Sequence, residues 1–244
     1  MRKFKKISAQ YSTTEAGSLA DRLAARMRRV MFRHFLDDTA VRSEHTILDV
    51  GVTSDEELEA SNYLEAWYPR KDHITACGID DASFLEQKYP GVRYIKADGR
   101  SLPFPDGHFD IVHSSAVLEH VGSHEQQRAF IAELARVARR AAFLTTPNRW
   151  FPVEFHSALP VVHWLPPPAF RAVLRVLGHN MLSREENLNL LGANDLRRLC
   201  LELRLPNFEV SSVSLFRWPS NLLLIIRKQD IAIEVANDRG IKRA

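Results

Sequence analysis

Between residues 46 and 146, segments with strand character alternate with segments of helical character, and this rhythm narrows what the chain can fold into. The run 46–50 is apolar and β-branched, and reads as a buried strand. Residues 55–68 then read as a helix, 74–79 as a second strand and 82–89 as a helix. Residues 92–97 and 109–115 give two more strands, 124–139 a helix with Phe130, Ile131, Leu134 and Val137 inward, and 141–146 a fifth strand stopped by Pro147. Such alternation implies an α/β fold: a parallel sheet with helices on both faces. Ligands on such sheets sit beyond the carboxyl ends of the strands, where the strand order reverses.

The first of those ends carries chemical information. Strand 46–50 breaks at Gly51, where a ligand can approach backbone that a side chain would block. Ser54 and Glu57 have capping-box spacing for the helix that follows. That helix opens with Asp55, Glu56, Glu57 and Glu59, so a pyrophosphate would meet negative charge where it needs a positive helix end. A phosphate-free cation such as S-adenosylmethionine is compatible with this turn. An ordinary strand-to-helix turn is the competing reading of these residues. Later strands end in Asp80-Asp81, Asp98-Gly99 and Ser114-Ser115, and a series of polar tips along one sheet edge describes a site better than any one of them does.

Outside this stretch, residues 1–16 are basic and polar, and 17–36 read as an amphipathic helix. Leu19, Leu23, Met27, Val30, Met31 and Phe35 lie on one face, and Arg22, Arg26, Arg29 and Arg33 on another. The basic face reads as solvated; contact with an anionic membrane surface is the alternative. Residues 147–180 break the rhythm with six prolines set among Trp150, Phe151, Phe155 and Trp164, an ordered insertion rather than a linker. Helices are expected over 169–178 and 193–204, and strands over 208–216 and 222–226, joined by a turn at 217–221 into a closing antiparallel edge hairpin. The expected organisation is a basic arm and helix (1–45), one domain (46–230) carrying the insertion, and a polar tail (231–244). A net charge of +3 over 244 residues is too mild to imply nucleic acid. Cys77 and Cys200 show no metal or redox spacing and read as reduced thiols. With no signal-like or membrane-spanning stretch, a cytoplasmic location is expected.

The run 97–112, containing Leu102-Pro103-Phe104 and Asp106 with Phe109-Asp110, followed by Leu118-Glu119-His120, resembles the class I S-adenosylmethionine-dependent methyltransferases. Within them it is most similar to the type 11 group that includes ubiquinone and menaquinone biosynthesis enzymes. The resemblance covers about residues 46–146 and implies a Rossmann-like three-layer sandwich whose mostly parallel sheet has seven strands. It implies S-adenosylmethionine as cofactor. Asp49, Gly51, Val52 and Thr53 match the loop along the methionine part, and Asp80 with Asp81 the acid on the ribose hydroxyls. Asp98 and Gly99 match the adenine contacts, and His113 and Ser114 the strand end near the methyl group. Glu119-His120 matches a helix-start signature that is more structural than catalytic. Thr53 and Asp55 stand where the family has its second and third glycines, a departure that keeps a non-catalytic, scaffold-like member as the alternative.

Methyl transfer is an in-line displacement that needs an oriented acceptor and excluded water. Candidate bases follow the fifth strand: Glu154, His163 and, first among them, His156, whose imidazole titrates near working pH. No metal is expected, because Pro160 keeps His156 and His163 off a shared helix face and no cysteine joins them. The aromatic insertion suggests a small-molecule or amphipathic acceptor, lipid-linked or glycan, and no nucleic acid. The sequence says nothing about oligomeric state.

Overall fold

The computed structural model describes residues 17–56 and 58–228. The expected basic arm over 1–16, the polar tail and Glu57 lie outside the described residues. Seven strands form one sheet: β1 (Ile47–Val50), β2 (Ile74–Gly78), β3 (Arg93–Lys96), β4 (Phe109–Ser115), β5 (Ala138–Pro147), β6 (Phe208–Leu215) and β7 (Trp218–Arg227). Their order is β3-β2-β1-β4-β5-β7-β6. The pairings from β3 through β5 are parallel, and β7 runs antiparallel to both neighbours. The order reverses between β1 and β4, which makes the carboxyl ends of those two strands the switch point, where sheets of this kind place a ligand crevice.

Burial explains why the central strands read as continuous apolar runs. All four residues of β1 are buried, as are six of the seven in β4, because helices cover both faces. On one face α4 (His124–Val137) and α6 (Ala193–Glu202) lay Phe130, Ile131, Leu134, Leu196 and Leu199 against Leu48, Val112 and Leu144. On the other, α1 (Leu19–Thr39), α2 (Tyr63–Trp67) and α3 (Phe84–Lys88) bring Met31, Phe35, Leu64 and Leu85 against Ile47, Ile111 and Phe143. Each fully buried Leu, Ile or Phe stabilises this arrangement by about 1.5–3 kcal/mol over its exposed state. The inward stripe read for α1 holds at Met27, Met31 and Phe35, whereas Leu19, in its first turn, is exposed. Arg22, Arg26, Arg29 and Arg33 are all exposed, with Arg29 stacked over the Trp67 ring at 5.0 Å. Cys77 and Cys200 are buried free thiols.

Two expectations need correction. Residues 51–56 and 58 are not helical: a 3-10 turn (Glu59–Asn62) and the five-residue α2 stand where a helix was expected over 55–68. Ser54 is buried in irregular chain, and the capping box read for it with Glu57 falls partly outside the described residues. The physical reason lies in Asn62, whose side chain bonds both the N–H (2.9 Å) and the carbonyl (3.0 Å) of Thr53. Asp55 accepts from Ser61 Oγ (3.0 Å) and holds the loop extended. The closing antiparallel edge hairpin forms as expected, and what differs is its turn. Strand β7 sits one place in from the edge, and β6 forms the edge. The turn is two residues, Phe216 and Arg217, both with positive φ (51° and 68°), which is the geometry that matches strand twist in a tight hairpin. Trp218 and Pro219 therefore belong to β7.

The insertion contains α5 (Pro167–Val176), whose Phe170 and Leu174 bury against Leu182 and Leu188 in a small separate core. Among the described residues no helix is long and apolar enough to cross a membrane.

Candidate active site at the carboxyl ends of the strands

Strand register lines up the sequence-derived residues along one edge. Val50 pairs with Cys77, Gly78 with Lys96 and Asp49 with His113, so the residues just beyond them, Gly51, Asp80 and Asp98, emerge from three adjacent strand ends. Asp80 is half-buried, and its carbonyl accepts from the Tyr94 hydroxyl. Asp81 is exposed and accepts from the N–H of Ser83 at 3.0 Å. Asp98 is half-buried and is gripped by Arg100, whose Nη2 lies 2.6 Å from Oδ2. The Arg100 bond holds the Asp98 carboxyl below the ordinary range. Arg100 was not among the expected site residues; its place two positions after the acid was the only signal.

Other expected contacts turn inward. Gly51 has φ +96°, and a Cβ there would meet Val117 at 2.2 Å, so the glycine serves both a left-handed turn and the packing of Val117 above it. The N–H groups of Gly51 (2.7 Å) and Val52 (3.1 Å) both donate to the Cys77 carbonyl, and the Thr53 N–H is taken by Asn62. A Cβ on Gly99 would meet Phe130 at 2.3 Å and Val50 at 2.8 Å, so this glycine lets α4 pack on the sheet. His113 and Ser114 are both buried under the site. Ser114 Oγ donates to the Val50 carbonyl at 2.8 Å.

His113 belongs to a buried polar chain beneath the crevice. Its Nδ1 lies 2.7 Å from Asp49 Oδ1 and its Nε2 2.8 Å from the Tyr63 hydroxyl. Asp49 is therefore engaged by a neighbouring strand rather than turned outward. Burial pushes the Tyr63 hydroxyl well above its ordinary pKa. Glu65 on α2 is fully buried in the same region, and neither of its carboxylate oxygens has a hydrogen-bond partner among the described residues. Burial, then the charge of Asp49, raises its pKa far above the usual carboxylate range.

Past the ends of β4 and β5 a second polar group assembles. The 3-10 turn Leu118–His120 follows β4, and Glu119 on it is fully buried. Thr146 Oγ1, near the end of β5, donates to Glu119 Oε2 at 2.8 Å, while Oε1 has no hydrogen-bond partner among the described residues. Burial raises the Glu119 carboxyl. His120 Nδ1 lies 2.7 Å from the Asn187 carbonyl; burial, and then His156, push His120 down to about 3. His156 comes from the insertion, and its Nδ1 lies 2.6 Å from Glu154 Oε1. Burial opposes charge on His156, but the bond to Glu154 and its charge prevail and raise the imidazole above its ordinary value. Burial likewise opposes charge on Glu154, yet bonds from His156 and Ser157 bring it to about 2. The His120 and His156 rings stand perpendicular with centroids 4.7 Å apart. His163 is elsewhere: it is buried, with Nε2 2.8 Å from the Phe151 carbonyl.

The aromatic insertion only partly forms the expected wall. Phe151 stacks on Phe155 at 5.1 Å, and Trp164 on Trp218 at 6.4 Å. A cleft lined by Arg149, His163, Phe170 and Leu188 has a volume of about 10 Å³, room for about one water molecule. Trp150, Phe155, Leu165 and Trp218 remain substantially exposed and make an apolar rim.

Comparison with known proteins bears on the domain and its fold. Residues 48–145 match the family model described as "Methyltransferase domain". Two probable S-adenosylmethionine-dependent methyltransferases, from two strains of Mycobacterium tuberculosis, are 37% identical over 67 residues, 27% of this chain and 23% of each relative. The match thus spans about a quarter of those relatives' length. A magnesium protoporphyrin IX methyltransferase from Synechocystis, solved with bound S-adenosylhomocysteine, superposes with a TM-score of 0.55 at 15% identity over 90% of this chain and 91% of that one. A Pyrococcus horikoshii protein gives 0.56 at 14% identity over 93% and 100%. At these identities the structural likeness establishes the fold alone.

Proposed function

We propose that this chain, which carries a class I S-adenosylmethionine-dependent methyltransferase domain over residues 48–145, methylates a hydroxyl group on a small or amphipathic acceptor. The observation that carries the reading is the register that sets Gly51, Asp80 and Asp98 along one edge, with Glu119, His120 and His156 grouped next to them past β4 and β5. Two partly exposed carboxylates suit the hydroxyl and amino donors of an adenosine, since an ionised carboxylate only accepts. Asp80 would take the ribose hydroxyls, Asp98 the adenine amino group, and the Gly51 turn would lie along the methionine part. When bound, the cofactor supplies a methyl group on a positively charged sulfur.

The residues past β4 and β5 would orient an acceptor oxygen in line with that methyl group and exclude water. His156 faces the acceptor side and activates the oxygen. With nothing else at that position the imidazole takes the proton itself, made more basic by Glu154. The exposed rim of Trp150, Phe155, Leu165 and Trp218 supports an acceptor with an apolar part, lipid-linked or glycan-bearing. The exposed arginines of α1 would suit an anionic membrane surface.

The competing reading is a non-catalytic scaffold. It is favoured by Val117 over Gly51 and by the loop N–H groups already bonded within the protein. Calorimetry separates the two: micromolar binding of S-adenosylhomocysteine but not of NADH supports the enzyme, and binding of neither supports the scaffold. Asp80→Ala is expected to weaken S-adenosylhomocysteine binding by about 1.5–3 kcal/mol, the loss of hydrogen bonds to a charged group. Equal affinity in the variant would remove Asp80 from the site.

A further inference from the structure

Glu119, His120 and His156 lie 36 or more positions apart in part, yet each offers a ligand atom within 4.8 Å of the others. We propose that these three side chains bind a divalent transition-metal ion of the zinc class at the acceptor end of the crevice. Two imidazoles and one carboxylate are the donor set of catalytic zinc sites, which use three protein ligands and leave a position for water or substrate.

The outer contacts are those a metal centre requires. A ligating histidine donates its other ring N–H to a carbonyl or carboxylate, which sets the tautomer and aims the remaining nitrogen. His120 does so to the Asn187 carbonyl and His156 to Glu154, each through Nδ1, so that Nε2 of each is the ligand atom. Thr146 holds the outer oxygen of Glu119. The inner oxygen, Oε1, is buried without a hydrogen-bond partner among the described residues and lies 3.8 Å from His120 Nε2. A buried carboxylate oxygen left without a partner is costly, and a cation answers it. With bonds of about 2.0–2.1 Å, ligand atoms in a tetrahedral site sit about 3.4 Å apart, so the three side chains close in by about 1 Å on binding.

The surrounding chain is built to hold this arrangement. Asn189 N–H donates to the Glu119 carbonyl at 2.7 Å, and Gln127 bridges the carbonyls of Leu118 (3.2 Å) and Asn189 (2.8 Å), fixing segment 187–189 to the turn. The expectation of no metal came from pairing His156 with His163, whereas the fold pairs it with a glutamate and a histidine from the end of β4. A bound cation would lower the pKa of an acceptor hydroxyl in the remaining position, leaving His156 as ligand and releasing the proton to solvent. That acceptor role rests on the methyltransferase reading; the metal site does not.

The test is calorimetric titration of ZnCl2 into the chelator-treated, dialysed full chain, with Co2+ absorption as a second readout. One ion per chain is expected, with visible bands of four- or five-coordinate Co2+. Glu119→Gln and His120→Ala should each weaken binding by about 100-fold, and Glu154→Gln by about 10–100-fold. Circular-dichroism melts identify the folded variants, and Glu154→Gln serves if a ligand variant does not fold. S-adenosylhomocysteine affinity, measured on the same samples, should be unchanged. Absence of stoichiometric zinc binding, or equal affinity in the folded variants, overturns the site. Zinc binding that depends on these residues without S-adenosylhomocysteine binding supports the site and overturns the cofactor reading.

Discussion

His156→Ala is expected to lower turnover by about 10²–10⁴-fold, the range for loss of a positioned proton-transfer group, while S-adenosylhomocysteine affinity stays within about twofold. The separation follows from placement. The proposed cofactor contacts lie at the ends of β1, β2 and β3, and His156 enters from the insertion beyond β5. Its imidazole is buried, perpendicular to His120 and tied to Glu154, so it is held in one orientation before any acceptor arrives. The measurement is a steady-state comparison using release of S-adenosylhomocysteine from an accepted substrate, with calorimetry beside it. Equal loss of turnover and of cofactor affinity would mean that the substitution disturbs the whole crevice and that His156 has no separate role. Chelation refines the result. If treated wild type keeps its turnover while His156→Ala loses it, the imidazole acts as the base itself; if both fall together, it acts through the cation.

The sheet was legible because parallel strands buried on both faces leave continuous apolar runs, and β4 over Phe109–Ser115 matches its expected span. The acids at the tips of β2 and β3 were legible for a related reason, since a carboxylate straight after a buried strand has no core to enter. The helix expected after Gly51 failed because local charge and cap spacing were overruled by one distant side chain, Asn62, which takes both backbone groups of Thr53. Asp49 and His113 each looked like ligand contacts. They instead bond one another across neighbouring strands, a pairing that register alone decides. The Glu119–His120–His156 group was hidden in the same way: its two halves come from the end of β4 and from the insertion, and only the fold brings them together. Glu65 gave no signal at all, because a glutamate in a short polar-to-apolar stretch reads as solvated until α2 is seen lying face-down on the sheet.

Glu65→Gln is expected to stabilise the protein, increasingly so as pH rises. The folded-state pKa of Glu65 is raised, first by burial and then by Asp49, while in the unfolded chain it returns to about 4.3. Between those two values the folded chain holds a proton that the unfolded chain has released, so stability falls as pH rises through that window. Each unit of elevation is worth about 1.4 kcal/mol at a pH above both values. The nearest compensation is weak: the Lys71 ammonium bonds the backbone carbonyls of Glu65 and Ala66 rather than the carboxylate. Glutamine keeps the volume and removes the ionisation. Denaturant unfolding at pH 4 should therefore give nearly equal stabilities for wild type and variant, and at pH 8 the variant should be the more stable of the two. A constant difference across that range would show that Glu65 is compensated in the folded chain by a cation, and a less stable variant at pH 8 would show that its charge is used to hold the fold. The direction also bears on the crevice, because Glu65 and Asp49 share the buried region beneath Gly51. The upward shift keeps the Glu65 proton in the folded chain and spares the buried region beneath Gly51 a further negative charge.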